Sequence, residues 1–186
     1  ILWPVGVDGL DVSLRPTELE LGIYLAIHRH GQTADTIRTM LWPNGSADKT
    51  WRNVSSSLRT KLGYDPDGTP RLSSRGELGR YFVSPSATTD LDLLIAAVDA
   101  LPASGDRMAE LALDAFALVR GPLFSDVNSG YSWAYSDGTA SRIEMDVLAL
   151  ARQTHSLLEQ AGYPDVAEQL RVRVAAALGH GSDLIG

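Results

Sequence analysis

DKTWRNVSSSLRTKL, residues 48–62, is the stretch whose reading decides the fold. Trp51, Val54, Leu58 and Leu62 recur at three- and four-residue steps, which places one apolar stripe along one side of an α-helix. The other side carries Lys49, Arg52, Asn53, Ser56, Arg59 and Thr60, cations and small hydrogen-bonding groups with no carboxylate after Asp48. A helix with that front fits a DNA major groove. The same pattern also describes the solvated face of an ordinary surface helix, so the flanking segments have to decide.

Charge is the first flanking signal. The 186 residues carry a net charge of −7, but the distribution is uneven. Residues 1–88 sum to +1 and residues 89–186 to −8. Within 49–80, seven cations (Lys49, Arg52, Arg59, Lys61, Arg71, Arg75, Arg80) face three acids (Asp65, Asp67, Glu77), a local +4. Basic charge therefore gathers around the 48–62 helix, and the acidic half is expected to face away from any duplex.

Upstream, residues 1–14 alternate apolar residues with Gly6 and Gly9 and read as one or two short strands turning near Asp8-Gly9. Leu14-Arg-Pro-Thr-Glu opens a helix, with Pro16 in the first turn and Glu18 and Glu20 near the positive end of the dipole. Its expected buried stripe is Leu19, Ile23, Ala26 and Ile27, with Gly31 ending it. Gly22 in its interior points to a close neighbour, since glycine there is unfavourable by about 1 kcal/mol relative to alanine. Thr33 is the expected N-cap of a second helix over 34–42. Downstream of Gly63, two short strands over 71–74 and 80–84 are expected to form a hairpin through Arg75-Gly-Glu-Leu-Gly79. Three helices followed by a hairpin is the layout of a winged helix-turn-helix.

After Ser84-Pro-Ser-Ala-Thr the pattern turns helical throughout. Asp90 or Thr89 can cap a helix over 91–101, and Asp106 can start one over 107–119. Ser141-Arg-Ile-Glu144 matches a capping box for a long helix ending at Gly162, and Pro164 opens the last helix. Two helices joined by a short glycine turn form the αα-hairpin of helical-repeat proteins. The expected fold class is mainly α: a winged helix-turn-helix with a small β hairpin over 1–88, then an all-helical, tetratricopeptide-like domain over 89–186. One such pair cannot bury both faces, so either the preceding helices cover it or further repeats lie beyond Gly186, a truncated domain being the expectation; the start at Ile1 and not at Met adds the expectation of an excised fragment.

Several function classes find no support. Cysteine is absent, which removes disulfides and thiolate metal sites. No G-x-S-x-G, H-E-x-x-H or P-loop occurs. His28 and His30 lie two apart on a helix and face different directions, so no metal site is expected. Tyr131-Ser-Trp-Ala-Tyr135 fits interhelical packing better than a ligand groove. No catalytic residue, cofactor or metal is assigned, and no apolar run reaches the ~20 residues of a membrane span.

The order of segments resembles a known family. Leu14-Arg-Pro-Thr-Glu-Leu resembles the opening of OmpR/PhoB-type winged helices. Met40-Leu-Trp-Pro43 and Val54-Ser-Ser-Ser-Leu-Arg-Thr-Lys-Leu-Gly63 resemble the second-helix end and recognition-helix end of SARP-type activators. Gly79-Arg-Tyr81 resembles the wing motif. Residues 90–94, Leu118-Val-Arg-Gly-Pro-Leu123, Ser132-Trp-Ala134 and Arg142-Ile-Glu144 resemble landmarks of the bacterial transcriptional activator domain. The resemblance implies a cytoplasmic DNA-binding transcriptional regulator, with double-stranded DNA as partner and a helical domain serving regulation, a homodimer or a protein partner.

On that reading helix 48–62 enters the major groove and the 71–84 wing lies on the backbone. Arg52, Asn53, Ser56 and Arg59 are the candidate base or phosphate readers; Lys49, Thr60, Arg71 and Arg75 are candidate phosphate contacts. A second expectation is a protein-interaction or ligand-sensing module whose winged helix is structural. The run of three serines at 55–57 and the acidic second half motivate it.

Overall fold

The structure is a computed structural model that describes residues 13–43, 47–73, 79–124 and 130–179. It is mainly helical with a small two-stranded antiparallel sheet. The strands expected within 1–12, and the turn of the expected hairpin with Arg75, lie outside the described residues. The chain divides into two compact units. One holds the described residues up to Thr88 together with 130–133; the other holds 89–124 and 134–179.

In the first unit α1 spans Pro16–Ile27. Arg15 is extended at its start, Pro16 takes the first helical position, and the Glu18 carboxylate reaches back to accept the Arg15 backbone N–H at 2.7 Å. That bond satisfies one of the donors a helix start leaves open. The buried face differs from the expected stripe. Glu18, Glu20, Leu21, Ile23, Tyr24 and Leu25 are buried, whereas Leu19, Ala26 and Ile27 are only half-buried. Two carboxylates are inside because other segments bring donors to them. The helix also stops earlier than Gly31, at Ile27 with His28 as C-cap.

Strand β1 (Gln32–Thr33) leads into α2 (Ala34–Leu41), whose N-cap is Thr33: its hydroxyl accepts the Thr36 N–H at 3.2 Å. Helix α3 (Ala47–Leu62) buries Trp51, Val54 and Leu58, with Leu62 half-buried. Leu58 Cδ2 comes within 3.9 Å of where a Cβ on Gly22 would sit, an ordinary van der Waals distance, so the close neighbour expected there does not by itself require glycine.

Strand β2 (Arg80–Tyr81) pairs antiparallel with β1, Gln32 opposite Tyr81 and Thr33 opposite Arg80. The pairing expected between 71–74 and 80–84 is present in part among the described residues: Ser73 N–H donates to Phe82 O at 3.0 Å, Ser84 N–H to Arg71 O at 2.8 Å, and Leu72 bridges Val83 antiparallel, while the two-residue ladder at Arg80–Tyr81 is made with β1. Before this pairing the chain folds back on itself, with Arg71 N–H on Gly63 O and Tyr64 bridged to Pro70. Gly31 adopts φ +72°, and a Cβ there would stand 2.9 Å from the Tyr81 carbonyl, so glycine is what lets β2 pass.

In the second unit α4 (Asp90–Ala100) starts with a complete capping box: Thr89 Oγ1 accepts the Asp92 N–H at 3.1 Å and Asp92 accepts the Thr89 N–H at 2.7 Å. Two 3₁₀ turns, Leu101–Ala103 and Gly105–Arg107, precede α5 (Met108–Phe116), which is shorter than the expected 107–119. A short helix α6 (Ser132–Ser136) leads to α7 (Thr139–Gln160) and α8 (Pro164–Leu178). Helix α7 begins before the Ser141-to-Glu144 pattern, because Asp137 already accepts the Thr139 N–H at 2.9 Å. Gly162 at φ +86° turns the chain, and α7 and α8 pack along their length as a hairpin. Helices α4 and α5 close over it, with Leu94, Val98, Ala112, Phe116, Leu158 and Leu170 fully excluded from solvent.

Candidate nucleic-acid interface

Helix α3 is held from behind. Trp51 meets Tyr81 edge-on with ring centroids 4.8 Å apart and leans on Trp42 at 6.5 Å. Leu58 is fully buried against α1. This fixes the helix about its own axis and turns Lys49, Arg52, Asn53, Ser56 and Thr60 outward, all exposed. Their spacing of three and four residues sets them in one row. Among the described residues, the side chains of Lys49, Arg52, Asn53 and Ser56 are held in no hydrogen bond or ion pair. Thr60 returns its hydroxyl to Ser56 O at 3.1 Å.

The remaining candidates sit differently. Arg59 is half-buried: Nε donates to Leu72 O at 3.3 Å and Nη2 to Ser73 O at 3.1 Å. Arg71 Nε donates to Asp65 at 3.1 Å and Nη1 to Leu62 O at 3.5 Å. Asp65 also accepts from Ser84 Oγ at 2.5 Å and Ser86 Oγ at 2.7 Å. The Ser84 and Ser86 hydroxyls, then the Arg71 guanidinium, hold its carboxyl below the usual aspartate range. Arg59 and Arg71 therefore brace the loop that follows α3, while Lys49, Arg52, Asn53 and Ser56 stay available to a ligand.

Two glutamates of α1 were read from the sequence as dipole acids and prove to be internal. Glu18 is fully buried; it accepts from Arg15 Nε at 2.7 Å, Lys61 Nζ at 2.7 Å and Ser57 Oγ at 2.7 Å. Burial pushes its carboxyl up, but the Arg15, Lys61 and Ser57 donors outweigh that and pull it down to about 2. Through Lys61 and Ser57 it ties the last two turns of α3 to α1. Glu20 meets other partners: Tyr131 N–H at 2.6 Å, with the Trp133 indole beside it. Burial raises its carboxyl above the usual range, and those two donors offset this only in part.

Tyr131 and Trp133 are both buried, Trp133 edge-on to Tyr24 at 4.9 Å. His28 stacks on Tyr24 at 4.3 Å and His30 is exposed. Among the described residues no group of three His, Cys, Asp or Glu could hold a metal ion, and no helix is long and apolar enough to cross a membrane. No family model matches the chain, and no curated protein matches it.

Proposed function

We propose that this chain is a DNA-binding transcriptional regulator of the SARP type, a winged helix-turn-helix head followed by a tetratricopeptide-like activator domain. Helix α3 is the recognition helix. Arg52 and Asn53 reach base edges, Lys49 and Ser56 reach phosphates or the groove floor, and the segment from Arg71 to Ser84 lies along the backbone. The helical domain serves regulation or self-association in the cytoplasm, and no chemical step is assigned.

The observation that carries the reading is the row Lys49, Arg52, Asn53 and Ser56, presented outward by a helix that Trp51 and Leu58 anchor. Electrostatic binding through about two cations, Lys49 and Arg52, releases about as many counterions, so raising salt from 50 to 200 mM should weaken affinity roughly 10-fold. Fluorescence anisotropy on duplexes selected from a genomic library measures this. Binding that ignores salt, or that Arg52→Ala leaves untouched, removes the proposal.

A second reading, a protein-interaction or ligand-sensing module, has one observation in its favour. Arg59 and Arg71, two of the expected DNA contacts, are committed to the protein's own carbonyls and to Asp65. No selected duplex, together with a partner captured through the helical unit, would favour that reading.

A further inference from the structure

The exposed side of α3 is not uniform around the helix. Successive residues turn by about 100°. Ser56 and Thr60 stand one turn apart, in line with Lys49 two turns before Ser56, and form the crest of the exposed side. Arg52 and Asn53 flank that crest, one on each side, and both are exposed. The buried residues Trp51, Val54 and Leu58 occupy the opposite side.

Hydrogen bonds at the serines and at Thr60 decide what this side can offer. The Thr60 hydroxyl spends its proton on the Ser56 carbonyl at 3.1 Å, so Thr60 presents its methyl outward and not a donor. That takes Thr60 out of the phosphate donors expected from the sequence. Ser55 Oγ donates to Arg52 O at 3.4 Å and Ser57 Oγ to Glu18 at 2.7 Å. Of the three consecutive serines, Ser56 is therefore the one whose hydroxyl is left for a ligand among the described residues. The Arg52 guanidinium and the Asn53 carboxamide hold no hydrogen bond or ion pair among the described residues.

Base edges in a major groove tell these groups apart. A guanidinium meets O6 and N7 of guanine together, a carboxamide meets N6 and N7 of adenine, and a threonine methyl packs on the C5-methyl of thymine. A serine hydroxyl serves any base. Lys49 offers a point charge, which matches a phosphate. Asn53 and Thr60 are two turns apart, about 10 Å along the helix axis, which corresponds to about three base-pair steps of about 3.4 Å.

We propose that α3 selects a neighbouring guanine and adenine through Arg52 and Asn53, and a thymine about three base pairs away whose methyl packs on Thr60. Ser56, between them, adds no preference. This choice of bases rests on the DNA-reading role proposed for α3.

Selection of bound duplexes from a random library by the full chain tests it, followed by fluorescence anisotropy on the enriched duplex. Enriched sites are expected to share G and A at neighbouring positions and T at a third. Changing that thymine to deoxyuridine removes only its methyl and should weaken wild-type binding about fourfold. Thr60→Ser should bind both duplexes alike, and Thr60→Val should keep the full difference. Changing the guanine to 7-deazaguanine removes one acceptor of the pair and should cost wild type about tenfold and Arg52→Ala nothing further. Enriched sites without these bases overturn the base assignment and leave DNA binding in place. So does a deoxyuridine penalty that is equal for wild type and Thr60→Ser. If no duplex is enriched or bound, the DNA-reading role falls and the base assignment falls with it.

Discussion

The outward row of α3 and its C-terminal end use the same residue types for opposite ends. Lys49 and Arg52 project from the exposed side and hold no partner among the described residues. Arg59 and Lys61, two turns on, are consumed internally, Arg59 by the Leu72 and Ser73 carbonyls and Lys61 by Glu18. A basic helix is thus two stretches in series, an open row, for which we propose a DNA-reading role, and a clamp. What separates them is whether another segment brings acceptors within reach, not the identity of the cation.

If the clamp is structural, the largest effect should come from its buried acid. Glu18→Gln removes the charge that Arg15 and Lys61 neutralise and is expected to lower stability by about 2 kcal/mol at pH 7, since part of the ion pairing is solvent-exposed. Its folded-state pKa of about 2 lies below the ordinary 4.5. The stabilisation is therefore complete above about 4.5 and is lost as pH falls from there toward 2. Chemical denaturation at pH 7 and pH 3 should show the wild-type advantage over Glu18→Gln shrinking. An advantage equal at both pH values would mean that the ion pairs contribute nothing.

Glu20 sharpens the contrast with the opposite sign. Its carboxyl is raised by burial, so ionisation at neutral pH opposes folding and protonation favours it. Glu20→Gln should leave stability at pH 7 equal to wild type or higher, and thermal unfolding read by circular dichroism measures it.

Next in size is the reading surface. Arg52→Ala is expected to cost about 1–3 kcal/mol of duplex affinity and to relax preference at one base position. Its thermal midpoint should stay near wild type, because an exposed side chain away from packing changes stability by about 0.5 kcal/mol or less. Arg59→Ala should do the reverse, losing about 1 kcal/mol of stability through two carbonyls left without donors, with a smaller change in affinity than Arg52→Ala. Equal affinity losses for the two would erase the distinction between reader and clamp. The smallest effect is that of Lys49→Ala, which should lower the slope of log Kd against log salt by about one unit and leave sequence preference alone.

What could be read from the chain follows the range of the interactions. The stripe Trp51, Val54, Leu58 depends on helical period alone, and the caps at Thr33 and Thr89 depend on neighbours three residues away; all are visible locally. The Ser141-to-Glu144 pattern misleads at the same range because Asp137 bonds the Thr139 N–H first. Strand β1 escapes notice because two residues carry no periodicity, and its partner lies beyond α3. Arg59 looks like a DNA contact because its acceptors come from a loop 13 and 14 residues later. Glu20 and Tyr131 are 111 residues apart, and neither residue type announces the other. The candidate surface was therefore visible and its internal braces were not.

The measurement that bears most directly on the central claim is salt-dependent anisotropy of a selected duplex with the wild-type chain, Arg52→Ala and Arg59→Ala side by side. The account predicts a steep, linear loss of affinity with log salt for wild type. It predicts a marked drop for Arg52→Ala, and for Arg59→Ala a lesser drop that follows its lower stability. Affinity that is flat in salt, or absent in the wild-type chain while Arg52→Ala behaves identically, would contradict it.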